Sequence, residues 1–296
     1  MKPVMVIVNG GAGSGHDQSA ADDLRAKLHE AGLDAELVLA DGGDAMIEAA
    51  RRALKEGVRL VAAGGGDGTI NAVASVLVGS GVTFGVLPLG TLNHFAKDLG
   101  IPLDLDAAVR NLATGTPKPV DVGEVNGRIF LNNSGLGLYP DIVRDREKQQ
   151  RRLGRGKWPA AVWAGLSVLR RYPFLSMRFD VGGEHLARRT PFVFIGNNPY
   201  TMQGLSIGVR ERLDAGVLSL YVAQRPTRFG LLRFAFDALR GRLGEERDFD
   251  VLQAPSLDID THRKRLRVAT DGEVTVMNPP LRYRVRPGAL TVLVPS

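Results

Sequence analysis

The residues whose types and spacing most clearly suggest chemistry form the segment GGGDGT, Gly64–Thr69, which follows an apolar run. Glycines at such a position allow left-handed backbone or close approach of a bulky group. A helix starting near Thr69 would present unpaired N–H groups and the positive end of its dipole to a phosphate. Asp67 would repel a phosphate unless a divalent cation lay between them, and carboxylate oxygens suit Mg²⁺. Asp67 is therefore a candidate metal contact, a helix N-cap, or both.

Two further loops carry groups of this kind. Residues 9–17, NGGAGSGHD, have the outer glycine spacing of a P-loop, but His16 and Asp17 stand where Lys and Ser or Thr are required. The ordinary P-loop mechanism is thereby excluded, and both a glycine turn that binds phosphate and a flexible turn stay open. The segment PLGTLNHFAKDLG, residues 88–100, adds the Thr91 hydroxyl and the Asn93 amide.

The elements that must position these loops alternate between strand and helix up to about residue 115. Strands are predicted over 3–9, 35–40, 58–63 and 83–90, and helices over 20–32, 44–57, 69–78 and 91–99. This alternation indicates parallel strands with right-handed crossovers. Because ligands bind at the carboxyl ends of such strands, we expect the three loops to share one edge of the sheet.

The pattern changes after about residue 118. Asn126-Gly127 between alternating runs predicts a hairpin, and amphipathic helices are predicted over 158–171 and 228–241. Short runs bounded by Gly, Pro, Asn or Asp predict an antiparallel sandwich or barrel over the rest. The fold class is thus an α/β domain with a mostly parallel sheet, followed by a β-rich domain with a few helices. The predicted domains are 1–122 and 123–287, with a last strand over 288–296 that can return to the first.

Composition sets limits on function and location. The 296 residues include no cysteine and no long apolar run, which excludes disulfides, thiolate metal sites and a membrane-spanning helix. No signal peptide is visible, so we expect a cytoplasmic protein. The net charge of +6 is concentrated in basic clusters at 144–157, 170–173 and 262–267. Such clusters suit phosphates, anionic lipid headgroups or nucleic acid, or are solvated surface. Without interleaved aromatic residues or a known module, we expect no nucleic-acid partner.

Several segments together resemble one known family. They are VNGGAGSG, GGGDGTINAV, LPLGTLNHFAKDLGIP, VDVGEVNG and ATDGE, in this order from Asn9 to Glu273. They resemble the bacterial diacylglycerol kinase-like lipid kinases, whose members pair a nucleotide-binding α/β domain with a β-rich domain. GGGDGT alone is shared with NAD kinases and, more loosely, phosphofructokinases, whereas the other segments favour the lipid kinases.

The resemblance implies a set of ATP contacts on the three loops of the first domain. These residues are Asn9, Gly10, Gly11, Ala12, Gly13, Gly66, Asp67, Gly68, Thr69, Ile70, Asn71, Ala72 and Thr91.

The resemblance also implies catalytic and metal-binding roles. Glu273 would be the general base on the acceptor hydroxyl, although the residues alone favour an exposed surface glutamate. Asp67 would act in catalysis and, with Asp121, organise a magnesium-centred network in which Asp214 is a further candidate ligand. Asn93, His94 and Asp271 are candidates for substrate contact or for the same network.

The chain departs from the family pattern at two of these positions. His94 replaces a common aspartate of the family, and Ala215 stands where a metal-binding aspartate is often found. The magnesium network is therefore expected to hold fewer carboxylates than is usual.

We therefore expect an ATP- and Mg²⁺-dependent lipid kinase that phosphorylates the hydroxyl of diacylglycerol or a related lipid. It would reach its lipid substrate by binding peripherally to the membrane surface, and a homodimer is compatible with the sequence. Two alternatives stay open. One is an NAD kinase or other small-molecule kinase of the same superfold, and the other is a catalytically weak regulatory protein that binds nucleotide or lipid.

Overall fold

A computed structural model of the chain describes residues 4–10, 18–137, 174–203, 206–207, 210–223 and 249–296. Several predicted features lie outside these residues. They are the ATP contacts Gly11, Ala12 and Gly13, the basic clusters 144–157 and 170–173, and the helices over 158–171 and 228–241.

The first part of the chain alternates strands and helices as predicted. The elements in chain order are β1 (Val4–Asn9), α1 (Gln18–Glu30), β2 (Ala35–Ala40), α2 (Gly42–Glu56), β3 (Leu60–Gly65), α3 (Asp67–Leu77), β4 (Thr83–Pro88), α4 (His94–Asp98), α5 (Leu105–Thr114) and β5 (Thr116–Val125).

The remaining described elements are all strands. In chain order they are β6 (Arg128–Phe130), β7 (Asn133–Gly137), β8 (Leu175–Val181), β9 (Glu184–Thr190), β10 (Phe192–Asn197), β11 (Met202–Gln203), β12 (Ser206–Ile207), β13 (Leu218–Ala223), β14 (Phe249–Ala254), β15 (Ser256–Thr261), β16 (Leu266–Thr270), β17 (Glu273–Met277) and β18 (Leu281–Val294).

Two compact units make up the chain. The first comprises Met1–Val122, Arg212–Gly216 and Arg286–Ser296, and the second comprises Gly123–Glu211 and Val217–Val285. Arg212–Gly216 falls within the range that the sequence assigns to the second domain. It joins the first unit because the Asp121 backbone N–H donates to Leu213 O at 2.7 Å and the Asp121 carboxylate accepts from Gly216 N at 2.7 Å.

The first unit is built on a parallel sheet. Its strands run in the order β2-β1-β3-β4, and the last residues of β18 pair in parallel with β4, with Thr291 opposite Thr83. Successive side chains of a strand point to opposite faces. Because Met5, Val6, Ile7 and Val8 are all buried, both faces of this sheet are covered.

Helices cover the sheet through apolar stripes. In α2, Met46, Ala49, Ala50 and Ala53 recur at helical spacing and are buried. The helix ends at Gly57, whose φ of 66° lets its N–H reach back to the last carbonyls. One core cluster joins the two helices α1 and α5 to the strands. It contains Val6, Val8, Leu24, Leu28, Ala62, Leu87, Ala108, Val109, Leu112 and Leu293.

The second unit is an antiparallel β-sandwich. One sheet has the order β14-β13-β10-β7-β16-β17, and the other includes the first half of β18 with β15, β8 and β9. Apolar side chains from both sheets share one core, including Ile195 and Leu220 from the first and Phe179 and Ile259 from the second. The predicted fold class, a mostly parallel α/β part and an antiparallel β-rich part, is confirmed.

Some elements are not among those predicted. Helix α5 and strands β9, β11, β12, β14 and β17 are additional, and the runs 281–286 and 289–294 form the single strand β18. Within this strand, Gly288 adopts a φ of 58°, a left-handed conformation that glycine tolerates. Within the described ranges, no helix is both long and apolar enough to cross a membrane.

Candidate active site

The described residues of the three predicted loops, which include only Asn9 and Gly10 of the first loop, lie at the carboxyl ends of β1, β3 and β4. Asn9, the last residue of β1, points its Nδ2 at Thr69 Oγ1 in α3 at 3.5 Å. Leu89, just after β4, donates its N–H to Gly65 O at the end of β3 at 3.1 Å. The expectation that these loops share one edge is therefore confirmed for the described residues.

Close packing explains the glycines of GGGDGT and PLGTLN. A Cβ on Gly90 would lie 2.4 Å from the Gly66 Cα, and a Cβ on Gly65 would lie 2.5 Å from Thr69 Oγ1. Gly66 itself has an ordinary φ of −84°. The glycines of this segment could serve a left-handed backbone or the close approach of a neighbouring group, and the structure shows close approach. The two loops are in backbone contact, so the position of one fixes that of the other.

Asp67 is the first residue of α3, which begins two residues earlier than predicted. Its carboxylate does not cap its own helix. Asp67 Oδ1 instead accepts a hydrogen bond from the backbone N–H of Phe95 at 3.3 Å, at the start of α4. The capping interpretation is thus corrected: Asp67 caps the neighbouring helix, because the packing of the two loops brings that N–H within reach.

Most other predicted ATP contacts lie in the first turns of α3 or beside it. Gly68 and Thr91 are exposed, Asn71 and Ala72 are half-buried, and Ile70 is buried in the core. Ile70 N donates to Gly66 O at 3.0 Å and closes the first helical turn. The N–H groups that precede it have no acceptor within the helix, as at any helix N-terminus, so this edge suits an anionic ligand.

Asn93 shapes the loop after β4. Its φ is 51°, its Oδ1 accepts from Gly90 N at 3.1 Å, and its Nδ2 donates to Gly90 O at 2.8 Å and Pro88 O at 3.2 Å. These contacts give Asn93 a structural role, since its side chain holds the loop after β4 in place. His94 follows it, with an exposed side chain.

Asp121 and Asp214, the other predicted metal ligands, are both engaged. The Asp121 carboxylate is buried and accepts from Gly216 N at 2.7 Å and Gly288 N at 2.9 Å. Asp214 pairs with Arg212 at 3.0 Å. Throughout the described parts of the chain, no three His, Asp or Glu side chains are grouped as a metal site would require. A metal-binding role for these two aspartates stays a prediction.

In the second unit, Asp271 and Gly272 form the two-residue turn between β16 and β17. Their φ angles of 47° and 88° give the turn that closes a tight hairpin, with Thr270 opposite Glu273. The Asp271 carboxylate accepts three backbone N–H groups, from Leu131 at 2.7 Å, Asn132 at 2.8 Å and Asn133 at 3.0 Å. The turn is therefore fixed to the segment Leu131–Asn133, which leads into β7.

Glu273, the predicted base, begins β17 with an exposed side chain. Its carboxylate forms an ion pair with Arg128, whose Nε also donates to Thr270 Oγ1 at 2.9 Å. Arg128 and the segment Leu131–Asn133 are not among the predicted site residues. The dipeptide Asp271-Gly272 is the signal that could have located this hairpin, whose second strand, β17, is not among the predicted strands.

Comparisons with known proteins give consistent results for both units. Residues 3–125 match the family described as "Diacylglycerol kinase catalytic domain", and residues 142–294 match "YegS C-terminal NAD kinase beta sandwich-like domain". The chain is 32% identical over 290 residues to the "Probable lipid kinase YegS-like" of Pseudomonas aeruginosa, covering 94% of this chain and 92% of the relative.

Two further similarities extend over nearly the full length. The diacylglycerol kinase of Bacillus subtilis is 28% identical over 285 residues, covering 94% of this chain and 92% of that enzyme. The crystal structure of a Bacillus anthracis protein superposes with a TM-score of 0.78 at 25% identity, covering 99% of this chain and 95% of that one.

Proposed function

The chain belongs to the diacylglycerol kinase-like lipid kinase family, and from that premise we propose that it transfers the γ-phosphoryl group of ATP to a hydroxyl group of diacylglycerol or a related lipid. Membership of this family makes the protein a kinase-type phosphotransferase. The identity of the acceptor lipid and the use of a magnesium ion are proposed here in addition to that activity.

The observation that carries the nucleotide assignment is the meeting of three loops at one edge of a parallel sheet. Asn9, Gly66 and Gly90 come from three different strand ends, and α3 directs its N-terminus to the same edge. Parallel sheets bind ligands at such an edge, and the helix dipole favours phosphate there. The nucleotide phosphates would lie along Gly66–Thr69, with Asn9, Gly10 and Thr91 as further contacts.

The donor set at this edge fits a magnesium ion that arrives with the nucleotide. Mg²⁺ is usually bound by one or two carboxylates together with substrate phosphates and water, and Asp67 supplies one carboxylate beside the helix N-terminus. When bound, the ion would neutralise negative charge on the phosphates. Asp121 and Asp214 stay further candidate ligands; both oxygens of Asp121 and Oδ1 of Asp214 also accept hydrogen bonds from the protein.

Glu273 would take the proton from the acceptor hydroxyl as the oxygen attacks phosphorus. Arg128 holds its carboxylate, and Asp271 fixes the turn that carries it. Such a base contributes a rate factor of about 10²–10⁴, while positioning and charge stabilisation supply most of the remaining acceleration of phosphoryl transfer.

A radiolabelled ATP assay tests the proposal. The protein is incubated with labelled ATP and Mg²⁺, and with fractionated membrane lipids, purified diacylglycerol or NAD in separate reactions, and labelled products are identified by mass spectrometry. A labelled lipid, with diacylglycerol as one acceptor, is the expected result. Label on NAD alone would favour the small-molecule kinase, and ATP binding without transfer would favour the regulatory protein; either would overturn the proposal.

A further inference from the structure

Arg210 is a buried cation in the second unit. Its side chain is only 1% exposed, and burying a charge is costly unless the surroundings provide hydrogen bonds or an opposite charge. The Tyr200 ring lies 5.3 Å from the Arg210 Cζ, a distance typical of a cation–π contact. The hydrogen-bond acceptors of Arg210 therefore show which groups compensate its buried charge.

The acceptors of Arg210 lie mainly on the segment Leu131–Asn133. Its Nη1 donates to Leu131 O at 2.7 Å and to Asn197 O at 2.9 Å, and its Nη2 donates to Asn132 Oδ1 at 2.7 Å. One planar guanidinium thus binds both the backbone and the side chain of this segment, a geometry that a lysine ammonium cannot reproduce.

The same segment binds Asp271 on its other side. The peptide group between Leu131 and Asn132 accepts from Arg210 through its C=O and donates through its N–H to Asp271 Oδ1 at 2.8 Å. A positive and a negative group therefore polarise one peptide from its two ends. Hydrogen bonds in such a chain strengthen one another, and this chain links the Arg210 guanidinium to Asp271 through a single peptide group.

We propose that Arg210 is a positioning residue for the kinase reaction, acting on Glu273 through the 131–132 peptide and Asp271. Glu273 follows Asp271 by two residues in the hairpin turn, so a shift of the Asp271 anchor moves the start of β17. The inference rests on the proposed role of Glu273 as the base. A misplacement of about 1 Å at a reacting group costs on the order of 10²-fold in rate.

The experiment measures kcat and the KM for ATP with diacylglycerol in mixed micelles, for Arg210→Met, Arg210→Lys, Glu273→Gln and the double variant Arg210→Met/Glu273→Gln. We expect Arg210→Met to lower kcat on the order of 10²-fold while the KM for ATP changes less than about twofold, since the predicted ATP contacts belong to the first unit. Arg210→Lys keeps the charge without the fork and should lose less activity.

The double variant distinguishes positioning of the base from a general effect on the fold. If Arg210 acts through Glu273, its replacement should lower kcat little further once Glu273 is already Gln. An equal loss in both backgrounds would overturn the proposal. If Arg210→Met does not fold, Arg210→Lys with the same double-variant comparison decides, and wild-type kcat in that variant would also overturn it.

A control variant and the Glu273→Gln variant separate the two proposals. Arg178→Met removes an exposed arginine of the same unit that pairs with Asp260, and it should leave kcat unchanged. If Glu273→Gln alone keeps wild-type kcat, Glu273 is not the base and Arg210 has nothing to position. Lipid phosphorylation by the wild-type protein would still stand in that case, so failure of this inference is distinguishable from failure of the proposed function.

Discussion

Asp67 has two tasks at the residue scale. It caps α4 through its hydrogen bond to Phe95 N, and in the proposed reaction it holds the magnesium ion that accompanies ATP. The capping task needs an acceptor oxygen and the metal task needs a negative charge. An asparagine retains the first property and loses the second.

Asp67→Asn should abolish phosphoryl transfer and leave the free energy of unfolding close to that of the wild type. Asp67→Ala should also abolish transfer and lower that free energy by about 0.5–2 kcal/mol through loss of the cap. Urea unfolding and the labelled ATP assay on both variants measure the two effects. Normal turnover in Asp67→Asn would show that phosphoryl transfer does not need the negative charge of Asp67.

At the scale of elements, the contact between Gly66 and Gly90 holds two loops together. A methyl group on Gly90 cannot avoid the Gly66 Cα by rotating, because both partners are backbone. Any side chain at this position must separate the loop after β3 from the loop after β4. The separation would also move Phe95 N away from Asp67.

Gly90→Ala should therefore lower the free energy of unfolding by about 1–3 kcal/mol and raise the KM for ATP. The matched control is Gly43→Ala in α2, where a Cβ meets nothing within 4 Å. Because alanine favours a helix, this control should stabilise the protein by up to about 1 kcal/mol. Thermal unfolding and ATP kinetics of both variants provide the test, and equal behaviour would contradict the close packing of the two loops.

Tyr283 gives the sandwich of the second unit a dependence on alkaline pH. It lies in β18, buried, with its hydroxyl 3.0 Å from Ser134 Oγ of β7. Burial raises the pKa of the Tyr283 phenol above its ordinary value of 10.0, and the hydrogen bond with Ser134 opposes this only in part. Since the folded state binds this proton more tightly than the unfolded state, the stabilisation is complete below the ordinary pKa and is lost as the pH rises above it.

Urea unfolding as a function of pH tests this dependence. The wild type should lose stability steeply above about pH 10, and Tyr283→Phe, which cannot ionise, should lose less. The control Ser134→Ala removes the hydrogen bond but keeps the phenol, so the steep alkaline loss should persist. Identical alkaline slopes for wild type and Tyr283→Phe would show that another group is responsible.

The sequence predicts the elements whose signals are local. Apolar runs and glycine stops locate β1–β4 and α1–α3, and Asn126-Gly127 locates its hairpin. Strand β9 escapes prediction because it is exposed at nearly every position and lacks an alternating apolar face. Its hydrogen bonds to β8 define it as a strand.

The candidate site was predictable to a similar extent. Residue types and the family resemblance identify Asp67, Asp271 and Glu273. They do not identify Arg128 or Arg210, whose partners lie tens of residues away in the chain. The capping of α4 by Asp67 was hidden for the same reason, since tertiary packing decides it.

At the scale of the whole molecule, a lipid kinase of net charge +6 should bind anionic membranes more strongly than neutral ones. Among the described residues, Arg263, Lys264 and Arg265 form an exposed basic turn between β15 and β16, and basic side chains near an anionic surface contribute about 1 kcal/mol each. Flotation with anionic and neutral vesicles measures the difference, which should shrink as salt is raised. Equal binding to both kinds of vesicle would show that electrostatic attraction does not drive membrane association.

Because β18 comes late in the chain but pairs with β4, the sheet of the first unit cannot be completed when β1–β4 are synthesised. The parallel sheet of the first unit includes the end of this strand, where Thr291 pairs with Thr83. A ribosome therefore makes β1–β4 about 200 residues before it makes their last neighbour, the residues around Thr291. Until then β4 has an open edge, which is a hazard for aggregation. The nascent first unit is thus expected to depend on protection by chaperones.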